Sequence, residues 1–197
     1  MTMEKKLFVV KYTGPFGFIK PWTAVRDSET FSQQFLTPSI VEGIEKKLFP
    51  ELLETKGIQK IKRHRLNYLG IDVQQERTWS KGGFKVKKEK GKYKTNLAII
   101  DRGVLIEPYL FLAFDNEAAA KEAMKQHVCL CRNEDVMLPN EILETTETDF
   151  DEIEGFELLF KGDEGVMFKV GHNRFDDVAE MYGQLKIFGN PIRQSLT

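Results

Sequence analysis

Four consecutive residues, Lys62-Arg63-His64-Arg65, with Tyr68 four positions beyond the histidine, form the set of side chains that could act on a phosphodiester. A histidine can move a proton to or from a ribose hydroxyl, and adjacent cations can stabilise the charge that develops on phosphorus. The set would therefore suit metal-independent RNA cleavage, with His64 and Tyr68 as its acid–base groups. Strand alternation puts both on one face with no further catalytic group identifiable beside them, which favours plain phosphate contact over catalysis. His127, Cys129 and Cys131 recur at every second position. A zinc site needs a fourth ligand and wider spacing, so a structural patch is expected there, with no metal and no cofactor. Asp149, Asp151, Glu152 and Glu154 lack the glycine and spacing of a calcium loop and read as a solvated acidic connection.

A second constellation lies in residues 77–94. Arg77, Lys81, Lys85, Lys87 and Lys88 interleave with Trp79, Phe84 and Tyr93, broken by Gly82-Gly83 and Gly91. A cationic track with aromatic faces is what a flexible single strand needs, phosphates on the lysines and bases stacked on the rings, Trp79 first among them. Partial alternation around glycines predicts a projecting hairpin.

The elements that must position these groups follow from periodicity. Residues 6–12 read as a buried first strand, and residues 16–36 as a long functional loop. Thr37-Pro38-Ser39 starts a helix that stops at Phe49-Pro50, and residues 58–69 form a second strand. Residues 95–100 and 104–114 read as two strands around a tight turn at Asp101-Arg102-Gly103. Asn116 caps a helix over 117–125, and residues 128–130 return as a strand. After an acidic connection, residues 156–160 and 166–170 read as a hairpin, and the tail from 186 as a continuation of the sheet. The order predicts an α+β, ferredoxin-like domain over 1–140 carrying the hairpin at about 77–94. Residues 141–197 would add an acidic connection and a small β extension on the same domain.

Composition bounds the classes. The 197 residues are 41% hydrophobic and 30% charged, with no apolar run near the length a membrane helix requires. No membrane partner and no secretory leader are expected, and two cysteines two positions apart suit a reducing cytoplasm. The net charge of −1 conceals a separation. From Lys56 to Lys94 there are 13 Lys and Arg against 3 Asp and Glu, and from Glu134 to Glu164 there are 12 acidic residues against Lys161 alone. The first stretch suits an anion, and the second an RNA-free face or a basic partner.

Gly14-Pro15-Phe16-Gly17-Phe18-Ile19-Lys20-Pro21, then Ser28-Glu29-Thr30-Phe31, then Thr37-Pro38-Ser39-Ile40-Val41-Glu42-Gly43 resemble the opening of the Cas-five family of CRISPR-associated proteins. Cys131-Arg132-Asn133-Glu134-Asp135 resembles that family's Leu-Gly-Arg-x-Glu segment, with Cys131 in place of the glycine. The resemblance spans roughly residues 6–140. It implies a RAMP-type, type I-B-like subunit of the Cascade surveillance complex that grips the crRNA 5′ handle and reaches over the guide with a thumb. It implies as partners a neighbouring backbone subunit, a large subunit and target DNA near the PAM. One relative in the type I-C systems cleaves its own RNA, and types III and IV have equivalent subunits. The chain is short for the family, and its end lacks a well-formed glycine-rich loop. Candidate RNA contacts are Lys20, Trp22, Arg26, Ser28 and Thr30 in the loop, and Ser39 and Lys47 on the helix. Arg63, His64 and Arg65, the hairpin residues above and Arg132 complete the set.

Overall fold

The computed structural model describes residues 5–23, 29–79, 85–95, 97–162 and 165–193. Strand β1 (Lys6–Thr13) lies inside an antiparallel sheet, and its apolar residues serve both faces. Val10 and Tyr12 point into the main core, and Leu7 and Val9 into a second core on the reverse side. After two short strands, β2 (Phe16–Gly17) and β3 (Glu29–Phe31), helix α1 (Pro38–Leu48) begins with Thr37 as N-cap and a proline in its first turn. It buries Val41, Ile44 and Leu48 on the sheet. Its Glu45, fully buried, accepts the backbone N–H groups of Gln59, Lys60 and Ile61 at 2.7, 2.6 and 2.7 Å, fixing where β4 (Ile61–Asn67) starts.

Strand β5 (Gly70–Trp79) then leaves the main sheet and returns as β8 (Leu97–Ile106), the two paired in continuous register. Between them β6 (Val86–Glu89) and β7 (Lys92–Thr95) form a hairpin turning at Lys90-Gly91, both with positive φ. The turn to β9 (Tyr109–Phe114) follows at Glu107-Pro108. In helix α2 (Glu117–Ala123), Asn116 caps the N–H of Ala119 at 2.8 Å, and the buried Ala119, Ala120 and Ala123 let the helix lie close. The Tyr12 hydroxyl donates to the Ala123 carbonyl at 2.7 Å. The chain continues through β10 (Val128–Cys129), β11 (Val136–Thr146), α3 (Glu147–Asp151), β12 (Gly155–Leu159), β13 (Phe168–His172) and β14 (Glu180–Phe188).

The main sheet runs β10-β11-β1-β9-β4-β12-β14-β13. Helices α1 and α2 contribute to one core with β1, β4 and β9; on the reverse face Phe150 of α3 packs with Leu7, Val9, Phe111 and Ala113. The architecture is thus mostly antiparallel sheet with few helices, in an α+β arrangement.

Several expectations are corrected. Asp101-Arg102-Gly103 is no turn, because those residues pair with Gln75, Gln74 and Val73 inside β8. Strands β5 and β8 pair as a ribbon from Gly70–Ile106 to Trp79–Leu97, so the pairing begins before residue 77 and continues after 94. The acidic segment after residue 134 is not a connection at its start. It forms β11, which crosses position 140 and pairs with β1 along its length, Lys6 meeting Glu144 at 2.5 Å and Lys11 meeting Glu141 at 3.1 Å. Residues 156–160 and 166–170 do not pair with each other, since β14 lies between β12 and β13.

Candidate nucleic-acid interface

A groove of about 490 Å³ opens beside the first two turns of α1. Helical spacing puts Ser39, Gly43 and Lys47 in one row along its wall. The loop after β2 supplies Lys20 and Trp22, held out by buried anchors: the Ile19 N–H donates to Ser32 Oγ at 2.8 Å, and the Gln33 N–H to the Ile19 carbonyl at 2.8 Å. Val170, Gly171 and His172 of β13, followed by Arg174, form the opposite wall, and Cys129, Leu130 and Cys131 close one end. Both cysteines are free thiols.

Two glycines make the walls fit. A Cβ at Gly43 would lie 2.5 Å from Arg174 Nη2, and Gly171, at φ +133, lets the Trp22 side chain lie against β13. Trp22 is half exposed, meets the His172 ring edge-on at 6.2 Å, and has Lys169 Nζ 5.5 Å from its ring. The exposed Lys20, Lys47 and Arg174 line this groove, and among the described residues no carboxylate does. Such a surface can hold phosphates on its cations while a base stacks on Trp22. The carbonyl of Val178 lies 3.0 Å from His172 Nδ1. A carbonyl can only accept, so Nδ1 carries a proton and donates it there.

Of the candidate contacts, the structure brings Lys20, Trp22, Ser39 and Lys47 together around this groove. His172 and Arg174 were missed; they lie more than 120 positions from α1, and only the folding of β13 against Trp22 unites them with it. Thr30 is 9% exposed within β3 and lies outside the groove. Arg132 is held by Asp135 at 2.6 Å and lies 5.3 Å from the Phe18 ring, where it braces the loop. On the ribbon, Lys87 faces Lys94 and Lys88 faces Tyr93, all exposed, as are Arg77 and Lys85. Arg26, Ser28, Lys81 and the Trp79 side chain lie outside the described residues.

Three members of the 62–65 cluster, Arg63, His64 and Arg65, are turned inward, which corrects their assignment as accessible contacts, while Lys62 stays exposed, 3.4 Å from Asp115. Arg63 binds the buried Glu157 through Nε at 2.6 Å and Asp151 at 2.7 Å; the fully buried Arg65 binds Glu157 at 2.9 Å. Burial pushes the Glu157 carboxyl up, but the hydrogen bonds and charge of Arg63, aided by Arg65, leave it below the usual carboxylate range. A phosphate would have to displace Glu157 to reach either arginine. His64 faces the other side, 3% exposed and stacked on Phe160 at 5.2 Å, and burial lowers its pKa to about 4. Tyr68 is fully buried against Phe156, and burial raises its pKa. His64 lines a smaller cavity of about 350 Å³ with Lys62, Phe160 and Lys161, while its Nε2 and the Tyr68 hydroxyl are buried without a hydrogen-bond partner among the described residues, so neither polar group is presented at the surface.

No family model matches the sequence, and no curated protein matches it. A chain described as a CRISPR RNA-guided surveillance complex superposes with a TM-score of 0.55 at 10% identity, over 94% of this chain and 90% of that one. A crystal structure of a Cas protein is similar over 96% of this chain and 98% of that one, at 12% identity and a TM-score of 0.42, too loose to bear on the fold. The chain shares its fold with a chain of an RNA-guided CRISPR surveillance complex.

Proposed function

We propose that this protein is a noncatalytic RNA-binding subunit of a type I CRISPR surveillance complex, a Cas-five relative that holds the crRNA 5′ handle in the groove beside α1. The observation that carries the reading is the meeting of Lys20, Lys47 and Arg174 with the half-exposed Trp22 in a groove that no carboxylate lines among the described residues. The strand order supports it: β11-β1-β9-β4, with α1 joining β1 to β4 and α2 between β9 and β11, is the order of a β-α-β-β-α-β ferredoxin-like domain of RAMP type. The β5–β8 ribbon with its lysine-rich tip would serve as thumb, and β12–β14 as the C-terminal extension. A backbone subunit, a large subunit and target DNA near the PAM would be neighbours, in the cytoplasm.

Copurification from the native host tests this reading. A guide RNA and backbone subunits should accompany the wild-type chain, and the double variant Lys47→Glu, Arg174→Glu should lose the RNA. Recovery of a folded chain with neither RNA nor CRISPR subunits would reject it.

A second reading, metal-independent cleavage of repeat RNA, keeps one support. His172, with Nδ1–H engaged and Nε2 open, stands among three cations able to stabilise a phosphorane. Purified protein would then cut repeat RNA in EDTA, and His172→Ala would stop it; absence of cleavage across pH 5 to 9 dismisses the enzyme.

A further inference from the structure

The outer edge of β5 has the features of an acceptor for another strand. Gly103 of β8 gives its carbonyl to the Ser32 N–H at 2.8 Å and so turns its backbone toward β3. In an antiparallel pair, directly opposite residues either exchange both hydrogen bonds or point both groups away. Val73, opposite Gly103, therefore turns its N–H and C=O to the far side, and alternation does the same for Ile71, Gln75 and Arg77. The Val73 N–H is taken by its neighbour's carboxylate, Asp72 Oδ1, at 2.7 Å, which is where a donor with no strand beyond it turns.

Natural sheet edges are blunted by shortness, bulges, proline or lysine. Strand β10 has two residues, and β13 is bulged between Lys169 and Gly171. Strand β5 runs ten residues in unbroken register without proline, its charged residues being Asp72, Glu76 and Arg77, and among the described residues it pairs only with β8. One of its faces carries Ile71 and Val73, 38 and 50% exposed, beside Leu105 and Gly103 of β8; farther along the same face, beyond Gln75, Arg77 stands opposite Ile99, with Leu97 next, 56 and 47% exposed. The other carries Asp72, Gln74, Glu76 and Thr78.

We propose that this edge binds an extended segment of a partner protein in which apolar residues alternate with lysine or arginine. Apolar side chains of the segment would extend the Ile71–Val73 face, and its cations would meet Asp72 and Glu76 on the other, Glu76 being shared with Arg102, which it already holds at 3.2 Å. A second copy of the chain fits poorly. Antiparallel self-pairing keeps the faces and would gather Asp72 and Glu76 of both copies on one side, while parallel self-pairing would split the apolar face between the two sides. The acidic row likewise disfavours RNA. This proposal stands apart from the RNA reading and can fail without it.

The test uses the full chain and a labelled ten-residue peptide alternating valine and lysine, with a block-sequence peptide of the same composition and an alternating valine–glutamate peptide as controls. The alternating basic peptide should bind, and amide exchange should slow at Ile71, Gln75 and Arg77 but not at Asp72, Gln74 or Glu76, whose N–H groups already face β8. Gln75→Pro removes one outward donor and should weaken binding by about tenfold or more. Val73→Lys, which leaves the ladder intact, should do the same, both variants keeping the wild-type melting temperature. Equal binding of the block peptide, indifference to both substitutions, or a dimer of the chain that Gln75→Pro dissolves would each overturn the proposal.

Discussion

Two guanidinium groups converge on one buried carboxylate, Arg63 and Arg65 on Glu157, and this decides what the most basic tetrapeptide of the chain can do. Glu157→Ala would leave the fully buried Arg65 with only the half-exposed Asp151, 3.7 Å away, to offset its charge, at a cost of about 3 kcal/mol. Urea denaturation at neutral pH reads this directly, and a loss below 1 kcal/mol would mean the cluster is solvated. His64 makes a pH prediction. Its pKa falls from 6.5 to about 4 on folding, so between those values the unfolded chain binds a proton that the folded chain does not. Stability is therefore intact above pH 6.5 and declines on acidification toward pH 4, by about 3 kcal/mol for this residue. His64→Leu should flatten that part of the profile. Residue types were legible in the sequence, but their partners were not. Arg63 and Arg65 carry the same charge whether they face RNA or Glu157, and the partner lies more than 90 positions away. Lys20, Trp22, Ser39 and Lys47 were legible because a loop and the helix that follows it share one surface.

Helix α1 links the groove to the core, and Gly43 is where the two demands meet. Gly43→Ala should favour the helix by up to about 1 kcal/mol. It should also weaken RNA binding, because the added Cβ would displace Arg174 from the groove wall. Paired melting and binding measurements check these opposed signs; an unchanged affinity would remove Arg174 from the interface. The ribbon makes a separate prediction. Reversing Lys85, Lys87 and Lys88 together should weaken guide-RNA retention without lowering the melting temperature, since all three are exposed. Unaltered retention would end its assignment as a thumb. Helices, capped by Thr37-Pro38 and Asn116, were legible within a residue or two. Strand pairing was not. The acids of β11 look like a solvated linker until Lys6 and Lys11 stand opposite them, and Asp101-Arg102-Gly103 has turn composition but is locked between β5 and β3.

At the scale of the molecule, the separation of charge along the chain is partly cancelled by the fold. Arg63 and Arg65 of the basic stretch and the lysines of β1 are matched by acids from residues 141–157, while Lys20, Lys47 and Arg174 line a groove without one among the described residues. Charge along the sequence does not say which cations stay available, because pairing across the sheet selects them. The central claim is that this groove holds single-stranded RNA. The most direct measurement is fluorescence anisotropy of a labelled single-stranded RNA over a salt series, comparing the wild type with the triple variant Lys20→Glu, Lys47→Glu, Arg174→Glu. Loss of three phosphate contacts should weaken binding more than tenfold and flatten the slope of log affinity against log salt by about 2. An unchanged slope and affinity in a folded triple variant would contradict the account.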